Sequence, residues 1–392
     1  MSFLSRIRSV EGEYRPLSMV SLTGLLFSLG NAVVWFSLPI LAEKLFNDLF
    51  IVGLLIAIPS FIGMCFDIPA GGFSDHVGRK KQIIGALLVM VLLGFLLPSV
   101  DSMPRFIVFM VIFGFATLNT VIPARAYIMD IAPKRKTGEF FGIFEASYQI
   151  GFTIGPVIAG AIIADQFDVA LPNAALFYSL ACLAAALVLF SLKETVVKGK
   201  STFVSVKDVI QKDRLYFKSL LDYKTLHYAG IAVLISTFII VFVDGIVWTF
   251  EPLYTTMGID TGTVGLILSM FVLPFILFEI PAGMIADRFG KIKVFIAGLI
   301  IAGIFLIVFG STKEPTLLII SAFVATTGLA FARPAIDGFL TDISASKERG
   351  GIVGVWNVAE DSAYAISPIV GGAIAQSFSI GFTFMIVGVM LL

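Results

Sequence analysis

The sequence predicts an all-α integral membrane protein in which twelve transmembrane helices form two parallel six-helix repeats around a central cavity. Three observations predict this fold. Hydrophobic residues make up 58% of the chain and charged residues only 14%, whereas about a quarter of a typical soluble domain is charged. Apolar runs long enough to cross a bilayer recur along the whole chain. A fifteen-residue stretch of the first half returns in the second half, shifted by 212 residues.

The helices are marked by apolar runs between clusters of charge and turn residues, since a membrane span needs about 20 apolar residues. They are predicted near residues 17–42, 51–74, 82–99, 105–131, 138–164, 172–192, 226–257, 262–286, 292–311, 315–342, 350–376 and 380 to the end. The first run lacks a cleavage pattern and is expected to remain as a membrane helix. Because the last run has only 13 residues, we expect the chain to stop inside its last helix.

The distribution of Lys and Arg predicts the orientation of these helices. Twenty-two Lys and Arg residues fall on one side of the predicted topology, whereas the other side has only Lys44, Arg105 and Lys313. Cytoplasmic loops are enriched in Lys and Arg, so we expect a multi-pass protein of the cell membrane with both termini in the cytoplasm. The formal net charge is zero, which gives no indication of a nucleic-acid partner.

The predicted domains are an N-terminal six-helix bundle over residues 1–193, a cytoplasmic linker over 194–225 and a C-terminal bundle over 226–392. The linker is rich in Lys and partly amphipathic. That composition suits a segment lying on the cytoplasmic surface of the membrane, and it equally suits a plain tether.

The internal repeat predicts how the two bundles are related. Residues 67–81 and 279–293 are identical at seven of fifteen positions, and residues 130–162 align with 342–374 without a gap. Because each repeat contains an even number of helices, both halves enter the membrane from the same side and are parallel. Parallel repeats with a binding site between them at the midplane are an arrangement of secondary transporters.

The repeated loop between helices 2 and 3, and between helices 8 and 9, carries a fixed pattern of Gly, acidic and basic residues. Its members are Gly71, Asp75, Gly78, Arg79 and Lys80 in the first half, and Gly283, Asp287, Arg288, Gly290 and Lys291 in the second. The pattern resembles the loop Gly-x-x-x-Asp-Arg-x-Gly-Arg-Lys/Arg of the major facilitator superfamily, with His76 where an Arg is usual. The resemblance covers essentially the whole chain. It implies a transporter that works by alternating access, without a cofactor and as a monomer.

The resemblance also implies a role for these loops as a cytoplasmic gate. Their charges, with Asp130 at the end of helix 4 and Asp342 at the end of helix 10, are expected to lock the cytoplasmic side while the outward-facing state persists. The alternative is that the basic loops only set the topology of the chain.

Helix 5 carries a second pattern, formed by Gly142, Gly151, Gly155, Pro156 and Gly160. It looks like the signature of the family's exporters that exchange drugs for protons, with Ala159 in place of the first Gly of the final pair. The alternative is that small residues at this spacing only allow helices to pack closely. Helix 1 has no acid and helix 4 lacks the early Arg of many such exporters, so proton coupling is expected to use other groups.

Ionisable side chains inside the bilayer cost roughly 2.5 to 3.5 kcal/mol each, so each one requires a partner or a function. Asp67, Arg125, Glu145 and Glu279 lie near the cytoplasmic ends, where they are expected to hold helices in register or to act in gating. Arg333, Glu360 and Asp361 share a depth near the midplane and are a candidate proton or substrate-charge site. Asp244 on helix 7 is interpreted as a proton carrier, a cation contact or a residue facing a water-filled vestibule.

Aromatic residues within the spans predict the character of the cavity, whose expected lining includes Asn31, Trp35, Tyr127, Trp248, Trp356 and Tyr364. A weakly charged, aromatic-rich cavity suits a lipophilic or amphiphilic small molecule. The preferred function is therefore proton-coupled, multidrug-type export of such a compound. The alternatives are uptake or facilitated transport of a metabolite or lipid, and a non-transporting scaffold or sensor. No nucleophile-base pair, metal-ligand cluster or ATP-binding loop predicts an enzyme or an ATP-driven pump.

Overall fold

The structure is a computed structural model that describes residues 3–133, 135–163, 167–195, 228–343 and 349–392. For residues 3–13, 68, 228–230, 255–256, 339–343 and 349–358, only the backbone is described. The predicted linker therefore lies outside the described residues except for its first two positions. The described chain is helical throughout apart from short connections.

The helices follow one another in the order that the hydropathy pattern predicts. They are α1 (Phe3–Phe46), α2 (Leu49–Ile56), α3 (Ile58–Val77), α4 (Arg79–Leu96), α5 (Met103–Ile131), α6 (Thr137–Ile163), α7 (Phe167–Phe190), α8 (Tyr228–Phe250), α9 (Thr261–Met270), α10 (Leu273–Phe289), α11 (Lys291–Ser311), α12 (Pro315–Ile343), α13 (Arg349–Ser377) and α14 (Ile380–Leu391). Ten stretches of the described residues are long and apolar enough to cross a membrane. The 29-residue α13 and the 12-residue α14 complete the twelve-helix architecture.

Two of the predicted spans are each divided into two helices. The second span consists of α2 and α3, and the eighth consists of α9 and α10. Each second piece has a proline in its first turn, Pro59 in α3 and Pro274 in α10. Because proline donates no backbone hydrogen bond and crowds the preceding turn, the sequence predicts a continuous apolar span but not the break within it.

Tight turns join α3 to α4 and α10 to α11, and a single glycine forms each of them. Gly78 has φ of 102° and Gly290 has φ of 100°, values that residues with a side chain rarely adopt. The repeated Gly of the loop pattern is thus a backbone requirement of the turn. It allows the two helices on either side to reverse direction with no intervening residue.

Equivalent helices make equivalent contacts in the two halves. In the first half α1 packs on α6, α4 on α5 and α7, and α3 on α5; in the second half α8 packs on α13, α11 on α12 and α14, and α10 on α12. Between the halves, α2 and α3 contact α13, and α6 contacts α9 and α10. The predicted pair of parallel six-helix repeats is confirmed.

The two ends of the molecule differ in charge, and we name them accordingly. The basic end contains residues 77–79, 131–137 and 289–291, and the opposite end contains residues 46–49, 97–103, 251–261, 311–315 and 377–380. All helix crossings below are described relative to these two ends.

Candidate transport site

The two halves are joined at the opposite end by a seam between α2 and α13. A side chain on Gly53 would overlap the carbonyl oxygen of Pro368, and a Cβ on Gly372 would lie 2.5 Å from the carbonyl oxygen of Leu49. The backbone N–H of Leu49 donates a hydrogen bond of 2.8 Å to Oε1 of Gln376. Glycine at both positions lets the two backbones touch, so this seam excludes water.

A second seam joins α6 to α9, and it repeats the first one. A side chain on Gly265 would overlap the carbonyl oxygen of Pro156, and one on Gly160 would overlap that of Thr261. The Thr261 hydroxyl donates to the Gly160 carbonyl at 3.2 Å. Each residue of this seam lies 212 positions from its counterpart in the first. The opposite end is thus closed twice by the same arrangement.

These contacts divide the helix-5 pattern into three parts. Gly151 and Gly155 lie against α1 within the first half, whereas Pro156 and Gly160 lie against α9 of the second half. Gly142 has no atom within 4 Å of the position where a Cβ would be. Close packing, which the sequence analysis leaves as an alternative explanation of this pattern, is observed at four of the five positions.

A cavity of about 250 Å³ lies between the halves, next to the two seams. Its walls come from α1, α2, α3, α6, α8 and α13, and include Trp35, Ser60, Phe152, Asp244, Trp248 and Tyr364. Phe152 meets Trp248 edge to face, with ring centroids 5.3 Å apart. Phe152 belongs to the first half and Trp248 to the second, so aromatic rings of both halves enclose the space.

Asp244 is the only acid of the cavity wall. Its carboxylate accepts a hydrogen bond from the Tyr364 hydroxyl and another from the Trp248 side chain one turn further along α8. These two donors fix the carboxylate among aromatic rings. The arrangement offers a negative charge beside ring faces, a combination that favours an organic cation.

The intramembrane ions form two pairs, one in each half. Nε of Arg125 lies 3.0 Å from Oε1 of Glu145, and Nη2 of Arg333 lies 2.9 Å from Oε1 of Glu360. The charge of Asp67 acts on Asp361 across the α3–α13 seam. Arg333 therefore pairs with one of the two adjacent acids, and the other acid faces the first half.

The two pairs belong to a larger group of charges that act on one another. It contains seven acids and two bases: Asp67, Glu145, Asp244, Glu279, Asp337, Glu360 and Asp361, with Arg125 and Arg333. The side chains of Arg125 and Glu145 are 51% and 37% exposed, although both lie well inside their helices. The space between the halves is therefore open toward the basic end and carries an excess of acid.

The loop residues of the first half form an ion cluster within that half. Arg79 places Nη2 3.1 Å from Oδ1 of Asp75 and Nε 2.6 Å from Oδ2 of Asp130. The hydroxyl of Thr195, near the start of the predicted linker, donates to Asp130 at 2.6 Å. The cluster ties α3, α4 and α5 together at the basic end. It does not reach the second half in this conformation.

The second half has a weaker version of this cluster. Nζ of Lys291 lies 3.6 Å from Oδ1 of Asp287 and donates to the Gly338 carbonyl at 3.1 Å. The guanidinium of Arg288 stacks over the Phe289 ring at 5.5 Å. The side chain of Asp342 lies outside the described residues. Gly71 and Gly283 have only ordinary contacts, with the nearest atoms 3.8 Å and 4.0 Å from a Cβ position.

Several residues lie elsewhere than the sequence analysis expects. Tyr127 is buried away from the cavity, because its hydroxyl donates to the Lys193 carbonyl at the basic end at 2.8 Å. Asn31 is buried in α1 and is absent from the cavity wall. The side chain of Trp356 lies outside the described residues. Phe152 lines the cavity but was missed, although it is the repeat counterpart of Tyr364, 212 residues away.

The sequence profile of the Major Facilitator Superfamily matches residues 20–232 and 233–392. The chain belongs to this superfamily. An uncharacterized MFS-type transporter of Methanocaldococcus jannaschii is 25% identical over 80% of this chain and 79% of its own length. A multi-drug resistance efflux pump PmrA homolog of Lactococcus lactis is 26% identical over 85% of this chain and 84% of its own length. The crystal structure of a D-xylose-proton symporter superposes with a TM-score of 0.71 at 16% identity, covering 96% of this chain and 97% of that one.

Proposed function

We propose that the protein exports lipophilic organic cations across the cell membrane in exchange for protons, in the manner of a multidrug efflux transporter. The observation that carries the proposal is the cavity wall, where one carboxylate, Asp244, is held among Trp35, Phe152, Trp248 and Tyr364. Aromatic faces attract cations as well as apolar surfaces, so a delocalised or alkylated cation satisfies both kinds of wall.

The surrounding charge supports a cationic substrate over an anionic one. The interacting intramembrane group has seven acids against two Arg residues, and both Arg residues are already paired with Glu145 and Glu360. An anion entering from the basic end would meet this excess of negative charge. A cation would be drawn toward it.

We also infer the direction of the transport cycle from the two ends. The basic end is assigned to the cytoplasm, because cytoplasmic loops are enriched in Lys and Arg. The described conformation is then sealed on the outside by its two seams and open on the inside. We propose that the bundles 1–193 and 226–392 rock about the cavity, joined by the linker 194–225, as parallel repeats do in secondary transporters.

Proton coupling is assigned to the carboxylates of the cavity group. Asp244 accepts either a proton or the cation, and Arg333 acts on Asp244 through its charge while it is paired with Glu360. Arg333 is therefore proposed as a positioning residue that sets how readily Asp244 gives up its proton. Exchange follows because one carboxylate cannot hold both ions at once.

The experiment uses purified protein in liposomes with an imposed pH gradient and a panel of lipophilic cations, with substrate flux and internal pH recorded together. We expect proton movement linked to at least one cation, and loss of both signals in Asp244→Asn. The matched control is Asp168→Asn, which removes an exposed acid at the opposite end and should leave transport unchanged.

The other outcomes separate the alternative functions. Flux of a cation that ignores the pH gradient indicates facilitated transport, and the exchange proposal fails. Flux of neutral metabolites or lipids but not of cations overturns the substrate class. Silence toward every compound, with Asp244→Asn indistinguishable from the parent in binding assays, favours a non-transporting scaffold or sensor.

A further inference from the structure

Glu251 is a buried acid that the site described above does not use. It follows the last residue of α8 at the opposite end, and its relative exposure is 0%. Within the described part of the chain, neither of its carboxyl oxygens has a hydrogen-bond partner. The other deep acids differ from it, because Glu145 and Glu360 pair with Arg and Asp244 accepts from Tyr364.

The surroundings of Glu251 contain no cation to neutralise it. Tyr254 is the titratable neighbour on which Glu251 acts, and its own hydroxyl is buried and unpartnered within the described residues. Tyr254 packs against the rings of Phe309 and Phe384, with centroids 5.2 Å and 5.9 Å away. A carboxylate here would be an isolated charge among aromatic rings.

The adjoining helix of the first half also leaves Glu251 without a charged partner. The end of α1 packs against the 3-10 segment Pro252–Met257. The two charged residues near that end are Glu43 and Lys44, and the Lys44 ammonium is bonded at 2.7 Å to Asp168 of α7. The charge that acts on Glu43 is that of Lys44. Neither residue supplies a counter-ion to Glu251.

Burial without a partner determines the protonation of Glu251 in this conformation. Transfer of an isolated carboxylate out of water costs far more than transfer of the neutral acid, so the group is held as the acid. The contact between α1 and residues 252–257 joins the two halves at the sealed end. When that end opens, the contact separates and water reaches Glu251, which then ionises.

We propose that Glu251 is a proton-binding site that must take up a proton from the medium at the opposite end before that end can seal. A proton from water at that end binds a carboxylate oxygen, and no other bond changes. Glu251 lies seven residues after Asp244 along α8, which puts both acids on one face, roughly 10 Å apart. Proton uptake at Glu251 thus precedes access of the cavity to the other side. The inference deepens the proposed proton exchange and rests on it for its role in transport.

The test follows the sealing of the opposite end directly, without substrate. Spin labels are placed at Ser102 of the first half and Lys313 of the second in a Cys65→Ser, Cys182→Ala background, and distances are measured in lipid nanodiscs over a range of pH. We expect the sealed population to fall as the pH rises. We expect Glu251→Gln to stay sealed throughout the range, and Glu251→Asp to keep a pH response.

The control is Glu43→Gln, which removes the nearest acid of α1 and should retain the pH response of the parent. The inference is overturned if Glu251→Gln follows the parent at every pH, or if the parent itself does not respond to pH. Because no substrate is added, the result does not depend on which compound is carried. Failure of drug export alone, with a Glu251-dependent response intact, would contradict the proposed substrate and leave the proton site standing.

Discussion

The seal at the opposite end and the charges of the cavity are built in contrasting ways. The two seams are copies of each other, since Gly53, Leu49, Pro156 and Gly160 each have a counterpart 212 residues later that makes the equivalent contact. The charges are not copied. Asp244 stands where the first half has Ala32, and Glu360 where it has Tyr148.

The contrast separates what the repeat supplies from what function requires. Rocking two bundles about a central site needs two equivalent seams, so both halves keep the same small residues at the seams. Binding one substrate and one proton at the midplane needs a single arrangement of charge, which a symmetric cavity would duplicate. The symmetric part therefore moves, and the asymmetric part binds.

The largest effect is expected from breaking one seam. Gly265→Val places a branched side chain on the Pro156 carbonyl, so we expect loss of the sealed state and of gradient-driven transport. Overpacking of this kind costs about 1–3 kcal/mol where neighbours can shift, and here the neighbour is backbone. The measurement is flux in liposomes together with the label distance across the opposite end.

The matched variants of this experiment test the equivalence of the seams. Gly53→Val should give the same loss through the Pro368 carbonyl, because it is the repeat counterpart. Gly85→Val is the control, since nothing lies within 4 Å of a Cβ at that position. A severe defect at one seam with normal transport at the other would contradict the symmetric closure.

The second prediction concerns the two Arg pairs. Arg333→Gln leaves Glu360 unpaired and removes the positive charge that acts on Asp244, so we expect pH-driven transport to be abolished. Arg125→Gln leaves Glu145 unpaired in a more exposed position and should reduce transport only several-fold. Comparing the pH dependence of flux in the two variants distinguishes a role in coupling from a role in folding. Equal, pH-independent losses in both would remove the special role of Arg333.

A smaller effect is expected at the loop clusters. Asp75→Asn weakens the cluster that Arg79 forms with Asp130, so we expect slower turnover while substrate binding is largely retained. Asp287→Asn should have less effect, because the Lys291 contact is 3.6 Å long and Lys291 also binds a carbonyl. Turnover and binding affinity are measured separately. Unchanged turnover in Asp75→Asn would leave these loops with a role in topology alone.

Much of the fold could be predicted from the sequence, because bilayer thickness dictates helix length and the repeat aligns without gaps. The breaks after Ile56 and Met270 could not, since proline is also tolerated within continuous membrane helices; Pro156 lies inside α6. The Arg333–Glu360 pair followed from their common depth. The choice of Glu360 over Asp361 depends on helix rotation, which spacing along the sequence does not give.

The cavity wall was predicted less well than the charges. Tyr127 has the composition of a cavity residue, but a carbonyl at the basic end satisfies its hydroxyl. Phe is so abundant, at 38 residues, that composition does not distinguish Phe152 from rings that face lipid. Its relation to Tyr364 through the 212-residue shift was the available signal. Glu251 has no such relation, because its counterpart is Pro39.

The smallest effect is expected at the helix caps that begin the two seams. Asp260 accepts the backbone N–H of Thr263 at 2.9 Å, and Asp48 accepts those of Phe50 and Ile51 at 2.9 Å and 3.0 Å. Replacing such a cap by Ala costs about 0.5–2 kcal/mol. We therefore expect Asp260→Ala and Asp48→Ala each to lower the unfolding temperature slightly and to leave transport intact.

The Asp260 cap also has a defined pH dependence. Hydrogen bonds from the side chain and the backbone N–H of Thr263 lower the pKa of Asp260 below its ordinary value of 3.8. Because the folded pKa is the lower one, the stabilisation is fully present above pH 3.8 and is lost as the pH falls through the folded pKa. The difference in unfolding temperature between the parent and Asp260→Ala should shrink in that window. A difference that stays constant there would mean that the cap acts without its charge, as a neutral hydrogen-bond acceptor.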